Sequence, residues 1–220
     1  MAPDVVLTGK RRSDRIDHFH VSIVFYYTDS YSLTNSTPVS VAAAHCANNF
    51  GNGRVLVGAV RKSAENVGNA QWRNILGQKY VHPNYVTKNE NNDLMIFKIE
   101  PVTKPNLRPI ALNGMQNRPR AGQQLKIIGF GAVDNGNTFL PELRQATVKY
   151  MKNSVCNRRW IGYQIHQKTH LCAANFRARS DICSGDSGRN LYDDETLFSP
   201  FVDWCAVCGS TNSLVISPRK

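Results

Sequence analysis

Serine, histidine and aspartate occur in three short settings that together could break an acyl bond. In Cys183-Ser184-Gly185-Asp186-Ser187-Gly188, Ser187 lies between small residues, which leave room for a substrate carbonyl to approach the backbone. A nucleophilic hydroxyl needs that room, although Gly-Asp-Ser-Gly alone also fits an ordinary turn. Ala43-Ala44-His45-Cys46 sets His45 beside a cysteine after a β-rich stretch, and Asn92-Asp93-Leu94-Met95-Ile96-Phe97-Lys98-Ile99 opens an apolar strand on an aspartate. Taken singly, His45 reads as a hydrogen-bonded structural residue and Asp93 as a turn former. Taken with Ser187 they supply, in chain order, a base, an acid that orients it and a nucleophile.

The elements that must gather these groups read as strands. Segments rich in β-branched and aromatic residues run over Val21 to Tyr27, Arg54 to Val60, Leu94 to Ile99, Gln124 to Phe130, Gln145 to Tyr150 and Phe201 to Trp204. Asn52-Gly53, His82-Pro83-Asn84 and Asp134-Asn135-Gly136-Asn137 separate them with turn-forming residues. Little 3.6-residue periodicity is sustained, so no helical crossovers are expected and the pattern points to antiparallel barrels or sandwiches. A stretch over 101–122, rich in Pro, Asn and Gly, divides the chain into halves.

Composition narrows the class. The chain has 220 residues, 41 % of them apolar and 20 % charged, enough for a real core and too apolar for a disordered polyelectrolyte. No run approaches the roughly 18 apolar residues of a spanning helix, so no membrane partner is expected. The opening Met1-Ala2-Pro3-Asp4 lacks a basic start and an apolar stretch, so no signal peptide is visible. The net charge of +11 favours acidic partners or surfaces. Its basic residues fall in short clusters, such as Lys10-Arg11-Arg12, Arg158-Arg159 and Arg177 with Arg179, without the aromatic-laced groove that single-stranded nucleic acid needs. These clusters read as solvated faces, and no nucleic-acid partner is expected.

Cysteines stand at 46, 156, 172, 183, 205 and 208, and their spacing alone does not choose a pairing. Cys205-x-x-Cys208 would fit a redox or zinc site, but zinc needs a second pair at similar spacing and the chain has none. No metal and no cofactor are expected.

The three settings together resemble the chymotrypsin-like family of serine proteases, the trypsin group (peptidase family S1) in particular. The order His45, Asp93, Ser187 is that family's order and differs from subtilisins and α/β-hydrolases. Val81-His82-Pro83-Asn84-Tyr85, Gly129-Phe130-Gly131, Leu140-Pro141-Glu142-Leu143 through Val155-Cys156, and Leu171-Cys172-Ala173 extend the resemblance. It is close over residues 43 to 190 and poor at the two ends.

The resemblance implies an all-β fold of two six-stranded antiparallel Greek-key barrels, incomplete at both ends, in a single peptidase domain over 1–220 with halves 1–110 and 111–220. It implies a serine endopeptidase in which Ser187 attacks, His45 takes the proton and Asp93 orients His45, with the N–H groups of Gly185 and Ser187 as oxyanion hole. Asp181, six positions before Ser187, matches the acid at the base of the family's Arg/Lys pocket, and Trp204 resembles the aromatic residue that walls it. Disulfides are implied between Cys156 and Cys172 and between Cys183 and Cys208, leaving Cys46 and Cys205 without the family's partners. The implied partners are a polypeptide with Arg or Lys at the cleavage site and protein protease inhibitors; the implied state is a secreted monomer.

The chain also departs from the family. No cysteine precedes Cys46 in sequence to staple it, and no Ile-Val-Gly-Gly start is present to supply an α-amino partner for Asp186. Arg189-Asn190 replace Gly-Pro after Gly188, Asp203-Trp204-Cys205 replace Ser-Trp-Gly, and Lys220 comes before the family's C-terminal helix. Two alignments of the N-terminal region compete. One makes His20-Val21-Ser22-Ile23 the first barrel strand, with Val6-Leu7-Thr8-Gly9 as a degraded N-terminal motif. The other, preferred, joins Ala2-Pro3-Asp4-Val5-Val6-Leu7-Thr8 to Ala43-Ala44-His45-Cys46 and makes 9–42 a non-family insert, as a truncated or unspliced gene product would. The alternative function is that of a catalytically silent homologue that binds peptides through the same cleft.

Overall fold

In the computed structural model, the described residues are 6–12, 15–27, 37–49, 53–61, 70–88, 91–103, 111–113, 119–134, 138–159, 165–166, 168–175, 185–187, 191–193, 196–199 and 215–218. Six strands come from the first half: β1 (Val6–Arg12), β2 (Arg15–Tyr27), β3 (Thr37–Ala42), β4 (Arg54–Val57), β5 (Gln71–Val81) and β6 (Met95–Ile99). They close into a barrel in the order β1-β2-β3-β6-β5-β4. Leu7 faces Val21 on β2 and Leu56 on β4, Val41 faces Ile23 on β2 and Ile96 on β6, and Leu56 faces Trp72 on β5. Residues 9–42, set apart above as an insert, thus supply the end of β1 and the whole of β2 and β3 to this barrel.

Alternation explains the barrel's interior. Along β6, Met95, Phe97 and Ile99 are buried while Ile96 and Lys98 face out, as the two-residue repeat of a strand requires. Those three side chains pack with Val41, Val55 and Val57 in one core cluster.

The second half supplies β7 (Ala111–Leu112), β8 (Gln124–Gly129), β9 (Arg144–Met151), α1 (Asn153–Arg159), β10 (His170–Ala174), β11 (Leu191–Tyr192), β12 (Thr196–Ser199) and β13 (Val215–Pro218). Its strands form a seven-stranded sheet in the order β13-β10-β9-β8-β11-β12-β7. Every contact in it is antiparallel except the outermost, β12 with β7, which is parallel. The result is the expected all-β architecture of two curled sheets, with a second sheet one strand larger than expected.

Leu125, Ile127, Val148, Tyr150, Leu171 and Leu191 fill the core of the second sheet. All five residues of β10 are buried, because α1 covers the face that the core does not. There Cys156 of α1 and Cys172 of β10 form a disulfide, with their Cα atoms 6.7 Å apart. Asn153 ties the same corner by donating from Nδ2 to the carbonyls of His166 and His170.

Among the described residues, hydrogen bonds and an ion pair join the halves. The Leu143 N–H donates to the Val60 carbonyl at 2.9 Å, and Arg61 pairs with Glu142 beside it at 2.6 Å. Thr169 Oγ1 donates to Asn91 Oδ1 at 3.0 Å, two residues before Asp93 and ahead of β6. Strand Phe201 to Trp204 falls outside the described residues. Among those residues, no helix is long and apolar enough to cross a membrane.

Candidate active site

His45 follows β3 on a 3-10 helix, Ala44–Asn49. Ala42, Ala43 and Ala44 are small enough to bury completely against the barrel core, which brings the chain in tightly before the histidine. The turn closes through Cys46 N–H to the Ala43 carbonyl.

Asp93 sits at the mouth of β6 and is 1 % exposed. Asn92, immediately before it, has a φ of 57°, a left-handed conformation that asparagine tolerates better than most residues. Its side-chain amide donates to the Asn84 carbonyl, which fixes the kink that turns Asp93 inward.

These two segments bring His45 and Asp93 together through both carboxylate oxygens. Asp93 Oδ1 accepts the His45 backbone N–H at 2.8 Å, and Oδ2 accepts Nδ1–H of the ring at 2.7 Å. A ring that donates from Nδ1 presents Nε2 as the acceptor nitrogen. The His45 side chain retains 27 % of its exposure, so the imidazole is not sealed behind its acid.

Electrostatics around the ring pull in opposite directions. Burial disfavours the imidazolium, but hydrogen bonds to Asp93 and Cys46 and the electrostatic attraction of both outweigh it and push the His45 pKa up to about 11. The Cys46 side chain is 1 % exposed and lies outside the disulfide found among the described residues. This contact is one that the sequence reading missed, since it treated Cys46 only as a cysteine without its usual staple.

Ser187 comes from the second half, half-buried on the turn Gly185–Ser187 between β10 and β11. Backbone shape builds this turn. Gly185 has a φ of 87°, which L side chains rarely adopt, and a Cβ there would lie 3.1 Å from the Phe139 ring. Asp186 is 1 % exposed, and its carboxylate fills the place where a Cβ of Gly131 would stand. Gly131 ends the Gly129-Phe130-Gly131 segment, so the second sheet holds the turn by close approach at two glycines. Neither role was legible in the sequence, because both depend on contacts between distant segments.

Of the remaining sequence-predicted residues, Cys156 and Cys172 are joined as described above. Asp181, Cys183, Trp204, Cys205 and Cys208 lie outside the described residues.

Comparison with known proteins adds an independent line. The family model described as Trypsin matches residues 12–217. The chain is 25 % identical over 191 residues to snake venom serine protease BITS01A of Bothrops insularis, covering 84 % of this chain and 72 % of that protein. It is 27 % identical over 156 residues to the venom protease of Bombus pensylvanicus, covering 69 % of this chain and 63 % of that one. Among solved structures it is similar in fold to neuropsin, a serine protease expressed in the limbic system of mouse brain. There the TM-score is 0.76 at 22 % identity, with 98 % of this chain and 88 % of that chain covered.

Proposed function

Since the chain belongs to the trypsin family of serine endopeptidases, we propose that His45, Asp93 and Ser187 are its catalytic triad and that it cleaves peptide bonds after Arg or Lys. The observation that carries this reading is the two-point contact between His45 and Asp93, with 2.7 Å between Nδ1 and Oδ2. With Nδ1–H committed to Asp93, the neutral ring carries its lone pair on Nε2, so Nε2 serves as the general base once the raised pKa of His45 is passed.

The chemistry follows from that tautomer. Ser187 attacks the scissile carbonyl as Nε2 of His45 takes its proton, because a free hydroxyl is a weak nucleophile near neutral pH. Asp93 stabilises the imidazolium so formed without itself taking the proton. The carbonyl oxygen gains charge and is received by the N–H groups of Gly185 and Ser187, each such donor being worth about 2.7–4 kcal/mol in the transition state. The imidazolium then protonates the leaving amine, and water repeats the sequence on the acyl-enzyme.

Specificity rests on Asp181, six positions before Ser187. A carboxylate at the base of a narrow pocket pairs with a cationic side chain and is left unsatisfied by a neutral one. The family resemblance assigns Trp204 to the wall of that pocket and a Cys183–Cys208 disulfide to its border. The substrate is a polypeptide in an extracellular setting, the enzyme acts as a monomer, and protein protease inhibitors occupy the same cleft.

An Arg p-nitroanilide peptide and a fluorophosphonate probe test the proposal. The folded protein should hydrolyse the first and be labelled by the second, and Ser187→Ala should lose both, with a fall in kcat of roughly 10^6-fold. Asp181→Ser should keep the labelling and lose the preference for Arg over Phe. A folded sample that neither hydrolyses nor labels identifies a silent homologue, and labelling that survives in Ser187→Ala removes Ser187 from its role.

A further inference from the structure

A cavity of about 390 Å³ opens on the second sheet, and none of His45, Asp93 or Ser187 lines it. Lys149 and Met151 lie two residues apart on β9 and so project to one face, opposite Ala174 and Cys172 of β10. Ala174 is small and leaves a hollow there, while Val155 of α1 forms a further wall. Lys152 and Asn175 complete the rim, and the Asn175 amide is pinned by a 2.8 Å bond from Nδ2 to the Thr147 carbonyl.

The chemistry of this lining is two-sided. Met151, Val155 and Ala174 offer apolar surface, Lys149 and Lys152 bring two cationic side chains, and among the described residues no carboxylate lines the cavity. Lys149 and Lys152 are exposed at the rim, where an anion can add charge-assisted contacts to them, while an apolar group covers Met151, Val155 and Ala174. A guest with both features satisfies both parts. The volume falls at the lower end of the range for small-molecule sites.

We propose that this cavity is a binding site for a small amphiphilic anion: one compact aromatic or branched aliphatic group bearing a single carboxylate, sulfate or sulfonate. The site is independent of the peptidase reading, and its test does not use activity.

Calorimetric titration of the full chain with naphthalene-1-sulfonate should show one saturable site. Lys149→Gln with Lys152→Gln should weaken binding about tenfold or more, since charge-assisted contacts are lost. Val155→Trp, at a residue 38 % exposed and therefore tolerant of a larger side chain, should abolish binding by filling the hollow with both lysines in place. Uncharged 1-naphthalenemethanol should bind weakly and indifferently to the lysine changes, and inorganic sulfate should not compete. Thermal melts identify which variants remain folded. The proposal is overturned if the wild-type chain shows no saturable site, if binding is unchanged in both folded variants, or if sulfate competes as well as the aromatic sulfonate does.

Discussion

In the first barrel, His45 and Asp93 are held by two hydrogen bonds to each other. In the second half, Ser187 rests on a turn shaped by Gly185 with its positive φ and by Gly131 against the Asp186 carboxylate. One half positions side chains by polar pairing and the other by the absence of side chains. The contrast suits the task. A base must be electrically tuned, which calls for charged neighbours, whereas a nucleophile beside an oxyanion hole must present N–H groups, which calls for a particular backbone path.

Among changes to the scaffold around the nucleophile, the largest expected effect removes the polar pairing. Asp93→Asn retains an oxygen but lets the amide impose the wrong tautomer on His45, and kcat should fall roughly 10^4-fold in steady-state assays. A fall of less than about tenfold would mean that the carboxylate does not set the tautomer.

Next comes the scaffold of the other half. The Cys156–Cys172 disulfide spans 16 positions, so replacing both cysteines with alanine should lower stability by about 3 kcal/mol in denaturant melts. An unchanged melting curve would indicate that α1 is held to β10 without the link.

The steric side of the comparison is sharpened by two glycines. Gly131→Ala places a Cβ on the Asp186 carboxylate and should displace the turn, lowering kcat/KM about 10^2-fold. Gly77→Ala meets a positive φ, 65°, which Gly131 does not have, but nothing lies within 4 Å, so kcat/KM should be unchanged. Equal losses at both would mean that the close approach of Gly131 to Asp186 is not what the turn depends on.

The electrostatic side is sharpened by Cys46. With the His45 pKa raised, the ring stays protonated above the ordinary histidine range, so kcat/KM should climb as pH becomes alkaline and the neutral base appears. Cys46→Ala removes one source of that attraction, lowers the His45 pKa and should move the rising limb to lower pH. A limb that stays in place would exclude the sulfur as a cause.

The smallest effect lies where the halves meet in solvent. Arg61 and Glu142 are 59 % and 47 % exposed, so Arg61→Ala should cost less than about 1 kcal/mol in the same melts.

Legibility in the sequence follows the same division. β4, β6, β8 and β9 can be read because their apolar residues run continuously or alternate. β5 cannot, since Asn74, Gly77, Gln78 and Lys79 interrupt it and most of its residues face outward. β10 is short and buried on every residue, so it carries no alternation, and α1 at seven residues is too brief to display a helical repeat. His45 and Asp93 are visible as residue types at the edge of apolar runs. The contact of Cys46 with the ring is not visible because adjacency in sequence does not say where the sulfur points, and the dependence of the Ser187 turn on Gly131 and Phe139 is not visible because it joins parts of the chain that only folding brings near one another. Within 9–42, the Val21 to Tyr27 part of β2 reads as a strand from its β-branched and aromatic residues, whereas the end of β1 and β3 do not, because ladder pairing leaves no signature in a single strand.

The Thr169–Asn91 bond anchors one half of the molecule two residues upstream of Asp93. A hinge pin set that close to the carboxylate makes the acid the first part to feel any slippage between the halves. On gentle loosening, for example by dilute denaturant, turnover would fade while both sheets kept their native circular dichroism.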